Sequence, residues 1–170
     1  MCIRDRGNVV LSGAIGEQKG GPGMFLGFLG THTPKLDEKG RFFLPARFRE
    51  PLLGGLVFTK GHEHTLVIQT PQGFKEAADR FFAGSPTVKQ VRDFQRSFFA
   101  GASEQIPDKQ GRVSIPPLLR AYARLDKDIA VVGVGDRIEV WDLETWLAFE
   151  AGQDDAFSEL DGEVFTPDVP

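Results

Sequence analysis

The fold of this chain is decided by a stretch of sequence that occurs twice. Residues 37–45 read DEKGRFFLP and residues 108–116 read DKQGRVSIP, so matched positions lie 71 residues apart. The same offset joins further residues outside the two stretches, namely Phe28 with Phe99, Gly30 with Gly101 and Arg49 with Arg120. A repeat of this length in a chain of 170 residues predicts one structural unit used twice. Because each copy places an arginine beside a glycine turn, the sequence also predicts a duplicated binding edge.

The residues around the first copy predict a strand, a turn and a second strand. Residues 25–33 and 41–44 are rich in β-forming side chains, and the sequence Asp37-Glu38-Lys39-Gly40 between them is typical of a hairpin turn. Glycine at position 40 takes a positive φ at little cost. Pro45 ends the second strand and favours a short helix directly after it.

A strand pair and a helix complete the first unit. Residues 56–59 and 65–68 are apolar runs on either side of a short turn, and apolar residues recur at spacings of three and four between Pro71 and Phe82. Ser85 as the N-cap and Pro86 at the first helical position predict a connecting helix. The second unit repeats this order, with strands expected at residues 113–115, 129–132 and 138–141 and a last helix capped by Asp142.

These elements predict an α+β fold made of two tandem β-rich units with short helices. The expected divisions are an N-terminal extension that is disordered or artefactual (1–23), a first domain (24–84), a connecting helix (85–97), a second domain (98–152) and an acidic mobile tail (153–170). The extension is glycine-rich and has no periodic pattern, so we expect the native start near Met24. Two units of about 70 residues can bury a core, either in one compact body or in two closely packed domains.

The charges divide the chain into a basic body and an acidic end. The formal net charge is −4, but nine acidic residues and no lysine or arginine lie from Asp142 onward. Residues 1–141 therefore carry 20 basic and 15 acidic side chains. A basic body is compatible with binding to nucleic-acid phosphates. The acidic end is either a merely solvated tail, which is the plainer interpretation, or a shield for the basic face.

The composition excludes some kinds of site and disfavours others. Cys2 is the only cysteine, which excludes an intramolecular disulfide and a site with several cysteine ligands, and favours a reducing cytoplasm. No apolar run approaches the roughly 20 residues that a membrane helix needs. We therefore expect a cytoplasmic protein that uses no metal or cofactor and does not contact a membrane.

The repeated pattern resembles a known DNA-binding fold. A strand, an Asp-x-x-Gly-Arg turn, a strand ending in proline, a short basic helix and a further strand pair are similar to the AbrB-like (SpoVT-AbrB) swapped-hairpin fold, and two such units in one chain resemble the MraZ family. The resemblance covers residues 25 to about 152. Its most specific parts are Gly30-Thr31-His32, the stretch from Leu36 to Arg41 with Leu44-Pro45, and the stretch from Asp108 to Arg112.

This resemblance implies a function and a set of partners. Proteins of this kind are transcriptional regulators that bind double-stranded DNA at direct repeats, in the promoter of the bacterial division and cell-wall gene cluster. They assemble into homo-oligomeric rings. We therefore expect a nucleoid-associated repressor with no enzymatic activity and no small-molecule substrate.

The resemblance also implies roles for single residues. Arg41 and Arg112 are implied to contact DNA. The residues implied to organise the turns are Asp37, Gly40, Asp108 and Gly111. Further candidates for DNA contact, on the turns and the short basic helices, are Lys39, Lys109, Arg47, Arg49 and Arg120. Because Lys39 directly precedes its glycine whereas Gln110 occupies the matching position, we expect the first turn to be the more complete DNA-reading edge.

Each candidate also has a plainer interpretation. Arg41 and Arg112 are structural if they only pair with the aspartates of their turns. For Arg47, Arg49 and Arg120, the plainer interpretation is a solvated helix face. The residues His62 and His64 leave open a metal-dependent enzyme, although a catalytic zinc needs a third protein ligand that the sequence does not supply. An AbrB-like antitoxin, with residues 153–170 binding a toxin, is a stronger alternative. A purely structural ring protein is a third.

Overall fold

A computed structural model describes residues 27–160 of the chain. The expected N-terminal extension, the start at Met24 and the last ten residues of the expected tail lie outside the described residues. The described part is a mixed α+β structure with eight strands and five helices. None of these helices is long and apolar enough to cross a membrane.

The elements alternate in the same order in both halves of the chain. Those of the first repeat are β1 (Phe28–His32), β2 (Arg41–Phe43), α1 (Ala46–Leu52), β3 (Leu56–Lys60), β4 (Leu66–Gln69) and α2 (Pro71–Phe82). The connecting helix is α3 (Lys89–Ala100). Those of the second repeat are β5 (Ser103–Gln105), β6 (Arg112–Ser114), α4 (Pro117–Tyr122), β7 (Ile129–Gly135), β8 (Ile138–Asp142) and α5 (Leu143–Glu159).

Two predicted strand pairs are confirmed, and they form the middle of the main sheet. Strand β3 pairs with β4, and β7 pairs with β8, each in antiparallel register. Strands β4 and β8 then pair with each other, which joins the two repeats in one six-stranded sheet of order β1-β7-β8-β4-β3-β5. The central pairing of this sheet is therefore made between the repeats.

The predicted hairpin between β1 and β2 is wrong. Strand β1 instead pairs with β7 of the second repeat, and β2 pairs with β6 of the second repeat in a separate two-stranded ribbon. A pair of three-residue strands is too small to be stable by itself. Pairing between the repeats places Phe42 opposite Val113 and buries both side chains in a shared core.

One hydrophobic core serves both repeats. It lies between the ribbon, helices α1 and α4, and one face of the main sheet. Phe42, Leu44 and Phe48 of the first repeat lie in the same cluster as Val113, Ile115 and Leu119 of the second, and all six are at most 3% exposed. Each large apolar side chain buried in this way contributes about 1.5–3 kcal/mol. The two repeats therefore fold as one body.

The helix ends agree with the sequence for α2 and differ for α3. Helix α2 has the predicted bounds, and its N-cap Thr70 accepts a hydrogen bond from the Gly73 amide. Helix α3 begins at Lys89 after the N-cap Val88, whereas Pro86 was the predicted first residue after the cap Ser85, and it ends at Ala100 and not at residue 97. The Ser85 hydroxyl is hydrogen-bonded to Thr87 Oγ1, so it does not cap the helix.

The last helix is longer than the sequence indicated. Asp142 caps it as predicted, since its carboxylate accepts hydrogen bonds from the amide and the hydroxyl of Thr145. The helix then continues to Glu159, beyond the expected domain boundary at residue 152. The side chains of residues 151–159 are all exposed, so this part of α5 is not held by the core.

Candidate nucleic-acid interface

The two repeated turns have the same internal hydrogen bonds. In the first, the Asp37 amide donates to the Arg41 carbonyl at 2.8 Å, and the Gly40 amide donates to the Asp37 carbonyl at 2.9 Å. In the second, the corresponding distances between Asp108, Gly111 and Arg112 are 3.0 and 2.9 Å. The glycines have φ values of +73° and +78°, a left-handed conformation that other residues rarely adopt. This geometry supports the turn-organising role expected for the glycines.

The aspartate of each turn binds both the backbone and the arginine. Asp37 Oδ1 accepts hydrogen bonds from the amides of Lys39 and Arg41, and Oδ2 accepts one from Arg41 Nε at 2.7 Å. Asp108 repeats this pattern, with 2.7 Å to Arg112 Nε. The pKa of each carboxyl is lowered, first by the hydrogen bond from the arginine amide. Both carboxylates therefore remain ionised near neutral pH, and each fixes the orientation of its guanidinium.

The ribbon brings the two arginines onto one face. In the register of β2 and β6, Arg41 lies opposite Ser114 and Arg112 lies opposite Phe43. The residues between them, Phe42 and Val113, point into the core, so these four side chains share the outer face. Arg41 and Arg112 are diagonal neighbours, a position that separates Cα atoms by about 7–8 Å. The repeated motif predicts a duplicated binding edge, whereas in the structure both arginines lie on a single edge.

The two arginines have different neighbours on this face. The Arg112 guanidinium lies over the Phe43 ring, with 5.9 Å between its Cζ and the ring centroid. The residue that matches Phe43 in the second repeat is Ser114, which lies opposite Arg41 and has no aromatic ring to offer. The side chains of Arg41 and Arg112 are 34% and 28% exposed. Arg112 is thus the more restrained of the two.

Each turn is also covered by an arginine from the other repeat. A methyl group at Gly111 would lie 2.8 Å from Nε of Arg49, which belongs to α1. A methyl group at Gly40 would lie 2.6 Å from Cζ of Arg120, which belongs to α4. The sequence by itself does not predict a role for Arg49 and Arg120 in the turns. The only signal for it was that the two arginines match each other at the offset of 71 residues.

The remaining basic candidates lie on the surface around the ribbon. Lys39 and Lys109 are exposed in the turns themselves, and Arg47 is exposed on α1. Arg49, two residues further along that helix, is half-buried, and its Nε donates to the Leu44 carbonyl at 2.8 Å. Because α1 follows β2 and packs against the second turn, it brings its basic side chains to the end of the ribbon that carries Arg112.

Comparison with known proteins identifies the repeats. The profile of a family described as "MraZ protein, putative antitoxin-like" matches residues 27–97 and again residues 98–166. The chain belongs to the MraZ family. The transcriptional regulator MraZ of Cutibacterium acnes is 55% identical over 138 residues, which cover 81% of this chain and 97% of that protein. Those of Kineococcus radiotolerans and Thermobifida fusca are each 52% identical over 137 residues, covering 81% of this chain and 96% of each relative.

Membership of the MraZ family confirms the predicted resemblance and excludes the metal-dependent enzyme. The chain is a transcriptional regulator with two tandem MraZ repeats in an α+β fold, and it is not an enzyme. The antitoxin alternative stays a prediction. Of the segment expected to bind a toxin, residues 153–159 lie on the exposed end of α5, and residues 161–170 lie outside the described part.

The two histidines of the metal-enzyme alternative are not placed together on a metal site in the described part of this MraZ chain. His64 Nδ1 lies 3.0 Å from the Tyr122 carbonyl, and His64 Nε2 lies 3.4 Å from a terminal nitrogen of Arg124. His62 is exposed in the turn between β3 and β4. Within residues 27–160, no group of three or more histidine, cysteine, aspartate or glutamate side chains is placed to hold a metal ion.

Proposed function

We propose that this protein regulates transcription by inserting the β2–β6 ribbon into the major groove of double-stranded DNA, with Arg41 and Arg112 as the principal contacts. The observation that carries the proposal is the position of both arginines on one outer face of the ribbon. The major groove is about 12 Å wide and accepts a two-stranded β-ribbon. Two arginines on diagonal positions of such a ribbon reach neighbouring base pairs or phosphates.

The hydrogen bonds inside the turns support this use of the arginines. Each aspartate binds the Nε atom of its arginine. Within residues 27–160, the terminal guanidinium nitrogens of Arg41 and Arg112 have no hydrogen-bond acceptor. An arginine held at Nε presents these two nitrogens as a fork, which fits O6 and N7 of guanine or two phosphate oxygens. The ion pairs of the turns and the contact with DNA are therefore compatible.

The exposed basic residues around the ribbon fit contacts with the phosphate backbone. Lys39, Lys109 and Arg47 lie on this surface and carry mobile charges suited to phosphates rather than to bases. Arg49 is less available to phosphates than these three residues, because it is half-buried and its Nε already donates to the Leu44 carbonyl. Phosphate contacts release counterions from DNA, so the affinity falls steeply as the salt concentration rises.

We further propose that the natural target is a set of direct repeats in the promoter of the division and cell-wall gene cluster, and that binding represses it in the cytoplasm at the nucleoid. Repeated sites suit a ring of several copies, since linked sites raise the effective concentration of each contact. Exposed apolar side chains on the described surface support association between copies. They include Leu53, Phe82, Ile106 and Leu118, each at least 65% exposed.

The test is fluorescence anisotropy with a duplex that carries the promoter repeats, at several salt concentrations. We expect Arg41→Ala and Arg112→Ala each to weaken binding by about 1–3 kcal/mol per lost bidentate contact. Arg96→Ala is the matched control, because Arg96 is an exposed arginine on α3, outside the ribbon and the helices that pack on it, and should leave affinity unchanged. Equal affinity of all three variants and the wild type would remove the ribbon from the interface. A reporter under the same promoter then gives the sign of regulation.

A further inference from the structure

We infer that Arg49 and Arg120 are positioning residues, each of which holds the DNA-binding turn of the opposite repeat. This inference rests on the proposed function, since it concerns how the Arg41 and Arg112 turns are kept in place for binding. It changes the roles of Arg49 and Arg120 from candidate DNA contacts to supports of the turns. It also predicts that functional coupling runs crosswise between the repeats, which a sequence comparison of the two copies does not suggest.

The contacts of Arg49 form a closed chain with the second turn. Its Nε donates to the Leu44 carbonyl at 2.8 Å, and the Leu44 amide donates to the Gly111 carbonyl at 2.9 Å. The same guanidinium lies so close to Gly111 that a methyl group there would approach Nε to 2.8 Å. Arg49 therefore holds Leu44, the residue at the end of β2 that is hydrogen-bonded to Gly111. Its guanidinium also packs directly against Gly111 in the second turn. The residue whose position depends on this is Arg112, directly after Gly111.

The contacts of Arg120 repeat this arrangement with one bond missing. The Ile115 amide donates to the Gly40 carbonyl at 2.9 Å, as Leu44 does to Gly111. The Arg120 guanidinium covers Gly40 at a similar distance. Its Nε, however, is buried and has no hydrogen-bond partner within residues 27–160. Arg120 thus supports the first turn by packing alone, while Arg49 supports the second by packing and a hydrogen bond.

This difference predicts unequal effects for matched substitutions. Methionine keeps the apolar stem of either arginine and removes its donors. Arg49→Met loses a hydrogen bond and leaves the Leu44 carbonyl without its donor, a change that costs stability. Arg120→Met removes a buried donor that has no acceptor, so it should be tolerated better. The second turn should therefore depend more strongly on its supporting arginine than the first turn does.

The first test needs no DNA and measures backbone amide hydrogen exchange in the full-length protein. We expect Arg49→Met to accelerate exchange of the Gly111 and Arg112 amides about fivefold, the effect of one lost hydrogen bond. The Gly40 and Arg41 amides should stay unchanged in this variant. Arg47→Met is the matched control, since Arg47 is exposed on the same helix and should alter neither turn. Acceleration at the first turn, or at neither turn, would overturn the inference.

The second test is a double-mutant cycle in DNA affinity. If Arg49 acts through the second turn, Arg49→Met should weaken binding in the wild type and in Arg41→Ala, but have little further effect in Arg112→Ala. An undiminished effect in Arg112→Ala contradicts the inference and makes Arg49 a direct contact. Arg49→Lys distinguishes the same two roles, because lysine keeps the charge for a phosphate but lacks Nε. Rescue by lysine speaks against positioning.

The two tests separate the inference from the function on which it rests. If the wild-type protein binds no promoter duplex, the proposed function fails, while the exchange experiment still decides whether Arg49 holds the second turn. If DNA binding depends on Arg41 and Arg112 but exchange at the turns is unaffected by Arg49→Met, the proposed function stands and the positioning role is wrong.

Discussion

The two Asp-x-x-Gly-Arg turns have nearly identical internal hydrogen bonds, but different residues pack around them. Their matched hydrogen bonds from backbone and arginine to the aspartate agree within 0.1 Å. Their surroundings differ, because Arg112 lies over the Phe43 ring and beside α1, whereas Arg41 lies opposite Ser114 and beside α4. The comparison teaches that a local motif sets its own geometry, while the partner repeat sets the environment in which it works.

The two turns also differ in charge. Within the turns, Glu38 makes the first copy neutral, whereas Lys109 gives the second a charge of +1. The helices that cover the turns do not add to this difference, because α1 carries Arg47, Arg49 and Glu50 and α4 carries Arg120, a net charge of +1 each. Because of Lys39, the first turn is predicted to be the more complete DNA-reading edge. That ranking stays a prediction, and the higher charge of the second turn itself argues against it.

The largest expected effect concerns the glycines that make the turns. Gly40→Ala and Gly111→Ala each force alanine into a positive φ and toward an arginine of the other repeat, so each should lower the free energy of unfolding by about 1–3 kcal/mol. Urea denaturation measures this. Gly152→Ala is the control, because Gly152 lies in α5 with open space around it and should be neutral or slightly stabilising. Equal stability of all three variants would mean that neither turn constrains the ribbon.

A second expected effect is a dependence on pH that both turns share. Because the pKa values of Asp37 and Asp108 are lowered in the folded state, the ionised carboxylates contribute stability above their unfolded pKa of about 3.9. This contribution is lost as the pH falls through the folded pKa. Asp37→Asn and Asp108→Asn should therefore be less stable than the wild type at pH 7, and the difference should shrink steadily below about pH 5.

Urea midpoints at a series of pH values measure this effect and compare the turns directly. Asp136→Asn is a control, since Asp136 is an exposed acid whose ion pair with Arg137 lies outside both turns. The two turn variants should behave alike, because the two aspartates have matched partners. A difference from the wild type that stays constant from pH 7 to pH 3 would contradict the ionic role of the carboxylates.

The smallest expected effect tests the lysine that separates the two copies. Lys39→Gln makes the first turn resemble the second, and Gln110→Lys does the reverse. If both positions approach phosphates, the first change should lower the slope of log affinity against log salt by about 1, and the second should raise it by about 1. Salt titrations of DNA binding provide the measurement. Slopes that stay the same in both variants would place the turn tips away from the backbone of DNA.

The parts of the fold that sequence predicted are those in which neighbouring residues interact. Helix α2 has its predicted bounds, and the two longer strand pairs, β3 with β4 and β7 with β8, form as expected. Asp142 caps α5 because the cap depends only on the amide and hydroxyl of Thr145, three residues later. The start of α3 was misplaced because Ser85 has a competing hydrogen bond to Thr87. A pattern of serine followed by proline does not show whether the serine hydroxyl has another hydrogen-bond partner nearby.

For the candidate site, the sequence singled out side chains but did not predict their arrangement, and their contact with DNA stays a prediction. The repeated motif singled out Arg41 and Arg112, and the aspartates of the turns bind them as the plainer interpretation required. That both arginines share one face of one ribbon follows from the pairing of β2 with β6. The covering of Gly111 by Arg49 follows from the same exchange between repeats.

By itself, the sequence determined the duplicated unit and the family to which the chain belongs, because both follow from matching residue types along the chain and not from strand pairing. It also determined the internal geometry of each turn, because that geometry depends on residues a few positions apart. Only the tertiary structure decided which strand pairs with which. The backbone N–H and C=O groups of β2 could pair with a strand of its own repeat as well as with β6 of the other repeat. Burial of Phe42 and Val113 in one shared core resolves that equivalence, and it brings both arginines to a single surface.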